Sequence, residues 1–439
     1  MTNRNSLVTR RLTTAPDWLF AAYAIVASFS TYFCMYAFRK PFAAATYDEL
    51  GTFVGLDLKT ALVISQIIGY TLSKVIGMRV CSELGRANRA LVLVLLIIWA
   101  QSALIIFAVV PPDWKVLAIL LNGLPLGMIW GLVVRYLEGR RLSELVLAGL
   151  SCSYIIASGV VKDVGRMWMQ AGVSDVWMPA VTGLCFLPLY LVSVWLLNQV
   201  PDPSVADMES RTERPKMNRG DRAKFVGNFW VGLLLLFTVY FFLTAYRDFR
   251  DNYGIEIFQT LGYAQTPAVF TKTEFPVAIG VVLTLAALNV FRNHRHGLIA
   301  VFAVMTFGLL LMSGATLMLD VGLLQGRELW WMVLIGLGSY LAYVPFGTAL
   351  FERLLASTHF RGNAVFAIYI ADSVGYTGSV AIQIYKDFFQ SDINRFEFLH
   401  DFTYALSLLG AVLLVASCIY FYSKTNRTLD TSQTERDSV

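Results

Sequence analysis

The chain has 439 residues, of which 56% are hydrophobic and only 15% are charged. Soluble globular domains carry about 45–50% apolar and about 25% charged residues, so this composition excludes a soluble protein and indicates a polytopic membrane protein. The net charge of +5 is small, and it indicates membrane topology and not nucleic-acid binding. The five cysteines form no Cys-x-x-Cys pair, which argues against a disulfide framework or a metal site. No metal or cofactor is expected.

Twelve apolar runs follow one another along the chain, each at least as long as the roughly 18 residues that a membrane-spanning helix needs. They cover approximately residues 18–47, 59–78, 88–110, 115–135, 145–166, 177–198, 227–251, 267–291, 297–318, 329–352, 363–386 and 399–423. The sequence therefore predicts an all-α membrane protein with twelve transmembrane helices in two six-helix halves. The predicted parts are an N-terminal tail (1–16), a first half (17–199), a polar linker (200–226), a second half (227–423) and a C-terminal tail (424–439).

The lysines and arginines indicate how the chain is oriented. They are concentrated in the tails, in the linker and in the loops that share a side with them, so the positive-inside rule predicts both termini in the cytoplasm. Two six-helix halves joined by a cytoplasmic linker resemble the architecture of the major facilitator superfamily. Glycines in the fourth, tenth and eleventh spans are expected to let helices approach closely; they are Gly123, Gly127, Gly131, Gly336, Gly338, Gly375 and Gly378.

The first span ends in YAFRKPFAAA, which places Arg39 and Lys40 within the membrane or at its edge. The residues after them are helix-compatible except at Pro41, so the helix is expected to continue to about Tyr47. Ionisable groups in a membrane cost at least about 2.5 kcal/mol and by default mark a substrate or ion pathway. The alternative is a structural role, in which the side chain reaches the interface; for Lys40 the two roles are equally favoured.

The second span carries one further cation, Lys74, within IIGYTLSKVIG. Gln66 lies two helical turns before Lys74 and is a better polar candidate for substrate binding than the tyrosines near the middle of the spans. Both are therefore predicted to line the substrate site.

The seventh span ends in TAYRDFRDNYG, in which Arg247 and Arg250 share one helix face and Asp248 and Asp251 form a neighbouring stripe. Arginine suits a phosphate or carboxylate because its guanidinium makes two parallel hydrogen bonds and stays charged when desolvated. One arginine from each half would clamp an anion. The alternative is that the interleaved charges form a structural salt-bridge network.

Acidic residues complicate a simple anion site. Asp372 lies well inside the eleventh span, in AIYIADSVGYTGS, and a buried carboxylate there carries protons, binds a cationic group of the substrate or neutralises an arginine. All three roles remain open. Glu274, two residues after Lys272, is expected to form a local ion pair at its helix end. The chain has no G-x-S-x-G or Walker A motif, so nothing indicates an enzyme.

With these residues identified, the chain resembles the organophosphate:phosphate antiporter branch of the major facilitator superfamily, which includes bacterial glycerol-3-phosphate and hexose-phosphate transporters. YAFRKPFAAA resembles that branch's Arg-Lys segment and makes Arg39 the counterpart of its phosphate-binding arginine. GYTLSKVIG is similar to its Gly-Phe-Ser-Lys stretch and makes Lys74 the counterpart of its cavity lysine. GLPLGMIWGLVV, IGLGSYLAYVPFG and GNAVFAIYIADSVGYTGS look like its fourth, tenth and eleventh helices.

The match is less close elsewhere. In the seventh span Arg247 fits the family arginine by its position in the helix, whereas Arg250 fits by its distance to the following Tyr-Gly pair; Arg247 is favoured. Tyr154 stands where the family has a histidine in the fifth helix, and it is included among the residues predicted to bind substrate. The aspartates of the seventh and eleventh spans have no obvious counterparts. The RKPF and YRDFRDN segments also resemble those of a group of bacterial membrane proteins of unknown function.

The resemblance implies a transporter of a small anionic organic solute, an organophosphate or phosphonate, in the bacterial inner membrane. Arg39, Lys74 and Arg247 would hold the anion, phosphate or a proton would be the coupling ion, and a monomer is expected. One alternative is a proton-coupled symporter of an aminophosphonate or amino acid, with Asp372 as the proton or amine site. The other is a membrane sensor that binds such a ligand without transporting it.

Overall fold

A computed structural model describes residues 6–138, 142–203, 207, 219–288, 290–291, 293–358, 360, 362 and 364–437. Fifteen helices are defined within these residues. They are α1 (Leu7–Thr13), α2 (Asp17–Tyr36), α3 (Leu58–Glu83), α4 (Arg86–Val109), α5 (Pro112–Leu137), α6 (Ser143–Gln170), α7 (Met178–Asn198), α8 (Arg219–Asn252), α9 (Gly254–Thr260), α10 (Val269–Leu288), α11 (His294–Asp320), α12 (Leu329–Thr348), α13 (Leu350–Ser357), α14 (Ala364–Phe389) and α15 (Arg395–Asp437). A small hairpin pairs β1 (Thr52–Phe53) with β2 (Leu56–Asp57).

The predicted spans all coincide with long helices. Among the described residues, ten helices are both long and apolar enough to cross a membrane. The two remaining predicted spans, the fifth and the eleventh, correspond to α6 and α14, which have 28 and 26 residues. A helix of 26 residues is about 39 Å long, which exceeds the roughly 30 Å of a hydrocarbon core. The twelve-helix membrane fold predicted from the sequence is confirmed.

The first span is shorter than the sequence predicts. Helix α2 ends at Tyr36, and a separate 3₁₀-helix begins at Pro41; the expected continuation to Tyr47 is wrong. Proline has no N–H to donate to the preceding turn, so an α-helix cannot continue through Pro41 with all its hydrogen bonds. Arg39 and Lys40 therefore lie on a turn, where their backbone N–H groups donate to the Tyr36 carbonyl oxygen at 3.0 and 2.9 Å.

Other helix ends also differ from the apolar boundaries. Helix α8 begins at Arg219, within the predicted linker, and α15 continues to Asp437, within the predicted C-terminal tail. A helix does not have to end where apolar residues end, because Lys, Arg and Glu also favour helices in water. The tenth predicted span is divided at Ala349, whose φ of −117° separates α12 from α13. Most of the predicted linker lies outside the described residues.

Contacts divide the chain into two compact units. Unit 1 comprises Met1–Thr212 and Asn252–Lys272, and unit 2 comprises Glu213–Asp251 and Thr273–Val439. We call residues 252–272, which contain α9 and the first turn of α10, the strap. The strap lies within the predicted second half of the sequence, yet its contacts group it with unit 1. A division at the central linker does not anticipate this, and the two six-helix halves stay a prediction.

Close helix packing in unit 1 depends on glycine. A Cβ added to Gly123 on α5 would lie 2.7 Å from the carbonyl oxygen of Gln66 on α3, and one added to Gly127 would clash with the Tyr70 carbonyl oxygen. Real Cβ atoms do not approach other atoms so closely, so only glycine permits this distance between the backbones of α3 and α5. The expectation for these two glycines of the fourth span is confirmed.

Unit 2 uses glycine in the same way. A Cβ on Gly308 of α11 would lie 2.5 Å from the carbonyl oxygen of Gly338 on α12, and one on Gly375 of α14 would lie 2.6 Å from the Thr244 hydroxyl of α8. At Gly336 the neighbour is a side chain, since an added Cβ would lie 2.5 Å from a guanidinium nitrogen of Arg250. Gly336 therefore makes space for a buried charge and not only for a helix.

Candidate functional site

Two cationic side chains of unit 1 that are predicted to bind substrate lie close to the same aromatic ring. The Arg39 Cζ atom lies 3.9 Å from the centroid of Tyr70, and the Lys74 Nζ atom lies 5.5 Å from the same centroid. Tyr70 and Lys74 are one turn apart on α3, whereas Arg39 comes from the turn after α2. A cation over a ring face is attracted by the ring quadrupole. The structure thus brings Arg39 and Lys74 together.

The turn that carries Arg39 is held by two buried amide side chains. Gln66 Nε2 donates to the Arg39 carbonyl oxygen at 2.8 Å and to Asn122 Oδ1 at 3.0 Å. Asn122 Nδ2 donates in turn to the carbonyl oxygens of Phe38 and Ala100 at 2.9 and 3.0 Å. Backbone carbonyls beyond a helix end need such partners when they are buried. Gln66, predicted to bind substrate, has its amide group engaged in positioning Arg39.

Asn122 was not singled out from the sequence. Its signal was present, because an asparagine in the apolar run LLNGLPLG must find hydrogen-bond partners within the membrane.

An aromatic cluster extends from Tyr70. Its hydroxyl lies 3.4 Å from that of Tyr32, whose ring packs edge-on against Trp130 with centroids 4.8 Å apart. Trp130 in turn lies 6.1 Å from the ring of Tyr154. Tyr154 is half-buried on α6. This predicted binding residue is connected to Tyr70 through the rings of Trp130 and Tyr32 and the contact between the two tyrosine hydroxyls.

Lys40 has a different environment from its neighbour Arg39. Its side chain is buried, and Nζ donates to the Asn252 side-chain oxygen at 2.9 Å. Asn252 is the first residue of the strap. This contact supports the structural role that the sequence left open for Lys40.

In unit 2, Arg247 also lies over a tyrosine ring. Its Cζ atom is 4.1 Å from the Tyr343 centroid, and Nη2 donates to Asp248 Oδ1 at 2.7 Å. The second carboxylate oxygen of Asp248 accepts a hydrogen bond from the Ser379 hydroxyl at 2.6 Å. Arg247 therefore has a ring beneath it and a carboxylate at one edge. Asp251 is half-buried one turn later on α8.

A pair of stacked tyrosines connects Arg247 with Asp372. The rings of Tyr343 and Tyr240 are 5.2 Å apart and inclined by 18°. The Tyr240 hydroxyl donates to Asp372 Oδ1 at 2.8 Å. Asp372 is a half-buried carboxylate on α14, within the eleventh predicted span.

Arg250 differs sharply from Arg247. Its Nη1 donates to Glu274 Oε1 at 2.8 Å and its Nη2 to the Met332 carbonyl oxygen at 2.8 Å. The side chains of Arg250 and Glu274 are only 3% and 9% exposed, whereas that of Arg247 is 17% exposed. Arg250 is thus a buried ion-pair partner with both terminal nitrogens engaged. Of the two arginines, Arg247 has the more exposed side chain and is therefore the better candidate for contact with a ligand.

The same contact overturns the expected pair of Glu274 with Lys272. Residues two apart on a helix point to nearly opposite sides, so Glu274 turns towards α8 and meets Arg250, 24 residues earlier in the chain.

Three charges on α6 were missed in the sequence, although their density in VVKDVGRMW was a clear signal. Lys162, Asp163 and Arg166 contact residues of the strap. They belong to a second group of buried charges in unit 1, separate from the ring of Tyr70.

Comparison with known proteins defines the fold and the family. A family model described as "Family of unknown function (DUF5690)" matches residues 41–424. No curated protein matches the chain. Among solved structures, the D-xylose-proton symporter superposes with a TM-score of 0.60 at 14% identity, covering 91% of this chain and 97% of that one.

Two further structures are similar. The nucleoside transporter NupG has a TM-score of 0.58 at 13% identity, with 92% of this chain and 98% of that one covered. The peptide transporter POT has a TM-score of 0.55 at 14% identity, with 94% and 96% covered. At these identities the likeness establishes the fold alone, which is the twelve-helix major facilitator fold.

Proposed function

The chain belongs to DUF5690, a family of unknown function, and from its own residues we propose that it is a secondary active transporter of a small organic anion. The fold is that of structures whose names describe transporters of xylose, nucleosides and peptides. An alternating-access mechanism suits this fold. The proposed anion is an organophosphate or a phosphonate, bound by Arg39, Lys74 and Arg247.

The pair of cations at Tyr70 carries this proposal. Arg39 and Lys74 lie 3.9 and 5.5 Å from one ring centroid, so their separation cannot exceed the sum of these distances. Two like charges that close repel each other by on the order of 2 kcal/mol at an effective dielectric constant of about 20. An anion held between them turns this repulsion into attraction. The arrangement therefore favours a ligand of concentrated negative charge.

Arg247 supplies the third cation. Tyr343 supports one face of its guanidinium, and Asp248 occupies one N–H group, which leaves other donors of the planar fork for a phosphoryl or phosphonyl oxygen. Asp248 competes with such a ligand for Arg247. We assign Asp248 and Asp251 to charge neutralisation and place Tyr154 at the edge of the site.

A second candidate is a proton-coupled symporter of an aminophosphonate or amino acid. The observation that favours it is Asp372, half-buried and linked to Arg247 through Tyr240 and Tyr343. In this function Asp372 takes up the proton or binds the amine. The name of one structural relative, the D-xylose-proton symporter, describes proton coupling in the same fold.

A ligand screen provides the first test. We expect organophosphates or phosphonates to raise the melting temperature of the purified protein more than carboxylates of equal size, because a ligand that binds only the folded state stabilises it. Arg39→Lys and Arg247→Lys should each lower the affinity for that ligand at least tenfold, since a charge-assisted hydrogen bond is worth about 1.5–3 kcal/mol. Arg327→Lys, at an exposed position, is the matched control and should change nothing.

Uptake into proteoliposomes separates the functions. Counterflow into phosphate-loaded vesicles indicates an antiporter, dependence on a pH gradient indicates a symporter, and binding without flux indicates a sensor. The anion site is refuted if both arginine variants bind and transport the best ligand as the wild type does.

A further inference from the structure

A long apolar cavity lies within unit 2, between α8, α14 and α15. Its volume is about 390 Å³, which is in the size range of sites that bind small molecules. It is lined mainly by apolar side chains, among them Val239, Phe242, Ile382, Phe398, Phe402 and Leu413. Ala405 and Leu409 also line it and are exposed, so the cavity is open along α15. We call this cavity the groove.

The apolar wall of the groove on α15 has the depth of one leaflet of a bilayer. From Phe402 to Leu413 the helix rises about 17 Å, at about 1.5 Å per residue. Half of a hydrocarbon core of about 30 Å is about 15 Å. Asp401 is the last charged residue before an uncharged stretch that reaches Ser423. The wall therefore begins where the hydrocarbon begins and ends near the middle of the bilayer.

Polar groups of the lining lie at one end of the groove, where α14 ends and α15 begins. His400 Nδ1 lies 3.1 Å from Asp401 Oδ1, but the Asp401 side chain is still 75% exposed and can accept further hydrogen bonds. Gln390 Nε2 donates to the Tyr385 hydroxyl at 3.2 Å, and a hydroxyl that accepts can still donate its own proton. This end of the groove thus combines a carboxylate acceptor with a hydroxyl donor.

Hydrocarbon is the medium around these helices, so the occupant of the groove is apolar along most of its length. An empty groove would deprive its wall of van der Waals contacts, and water has no polar partners along an apolar wall. An acyl chain, however, is as apolar in the bilayer as in the groove. The apolar wall alone therefore selects no particular lipid, and selection has to come from the polar end.

We propose that the groove binds one acyl chain of a phospholipid whose headgroup carries a primary ammonium, and that the Asp401 carboxylate receives this ammonium. A primary ammonium has three N–H donors and forms charge-assisted hydrogen bonds with a carboxylate. A quaternary ammonium has no N–H group to donate, and an anionic headgroup is repelled by Asp401. The Tyr385 hydroxyl donates to a phosphate or ester oxygen of the same lipid. This lipid site shares no residue with the proposed anion site.

Native mass spectrometry of the full chain tests the proposal. The delipidated protein in detergent is titrated with phosphatidylethanolamine, phosphatidylcholine or phosphatidylglycerol of identical acyl chains. We expect one phosphatidylethanolamine to bind about tenfold more tightly than either other lipid, which corresponds to about one charge-assisted hydrogen bond. Asp401→Asn should remove the difference between phosphatidylethanolamine and phosphatidylcholine. Ala405→Trp fills the groove from its open side and should abolish the tight binding.

Two control variants make the result specific to the Asp401 carboxylate. Asp392→Asn neutralises an exposed carboxylate between α14 and α15 and should keep the lipid preference. His400→Gln removes the imidazole beside Asp401 and should keep it too, since the carboxylate remains. Melting temperatures establish that each variant is folded.

Three results would overturn the proposal. The first is equal affinity of the wild type for the three lipids, and the second is an unchanged preference in Asp401→Asn. The third is a protein dimer that Ala405→Trp disrupts, because the groove would then receive a second copy of the chain. None of these results bears on anion binding, which depends on other residues.

Discussion

Replacing Arg250 by methionine should destabilise the protein far more than the same change at Arg247. Arg250 donates to Glu274 and to the Met332 carbonyl oxygen, both at 2.8 Å, within a region shielded from solvent. Its removal leaves a buried carboxylate without its partner, which costs about 3–5 kcal/mol. For a chain of this length that corresponds to a fall in melting temperature of about 5 °C. Arg247→Met should cost less, because Asp248 keeps its hydrogen bond from Ser379.

The measurement is thermal unfolding of the purified variants in one detergent, followed by tryptophan fluorescence. Glu274→Met should destabilise as Arg250→Met does, whereas the double variant should recover most of the loss, since two apolar side chains of similar volume can replace a buried pair. The reasoning is refuted if Arg250→Met melts like the wild type but no longer responds to the best anionic ligand. Arg250, and not Arg247, would then be the anion-binding arginine.

Three further changes test the surroundings of the site. Gln66→Leu should lower the affinity for the best anionic ligand about tenfold, because it deprives the Arg39 carbonyl oxygen of a hydrogen-bond partner worth about 1–3 kcal/mol. A ligand titration by thermal shift will measure this affinity, and an unchanged value would contradict the prediction. Gly123→Leu should cost at least about 1–3 kcal/mol by overpacking α3 against α5, seen as aggregation on size-exclusion chromatography, whereas a monodisperse peak would count against it. Asp248→Asn should raise the affinity for a phosphonate several-fold by freeing Arg247, and weaker binding would show that Asp248 supports the ligand.

The spans could be predicted because the thickness of the bilayer fixes the length of an apolar helix. Their ends could not, since the sequence alone does not show that a helix continues beyond its apolar run, as α8 and α15 do. At Pro41 the break was visible in the sequence, but helix-compatible residues on its far side made continuation to Tyr47 look acceptable. The chain instead starts a new 3₁₀-helix there.

For the candidate site, prediction from the sequence is limited in the same way, because the contacts of single side chains depend on residues distant in the chain. Charges within apolar runs indicated Arg39, Lys74 and the two arginines of the seventh span, because each is costly in a membrane. Arg247 and Arg250 share one helix face in sequence, so the sequence favoured one by resemblance alone. Only Glu274 and the Met332 carbonyl, distant in the chain, distinguish them.

The strap was out of reach of the sequence for a related reason. Its partners lie about 100 to 210 positions earlier in the chain, as between Lys40 and Asn252 or Asp163 and Phe270. Hydrophobic periodicity reports how a helix relates to its own neighbours along the chain. It carries no information on which distant charge a loop will meet.

The ring contacts beside Arg39 give the molecule an intrinsic optical probe. Trp130 packs edge-on against Tyr32, whose hydroxyl touches that of Tyr70, and indole emission responds to the polarity and motion of its surroundings. A ligand that draws Arg39 away from the Tyr70 face therefore disturbs a neighbour of Trp130. In a variant that keeps Trp130 as its single tryptophan, ligand binding near Arg39 in unit 1 can be followed in real time, without any label and separately from events in unit 2.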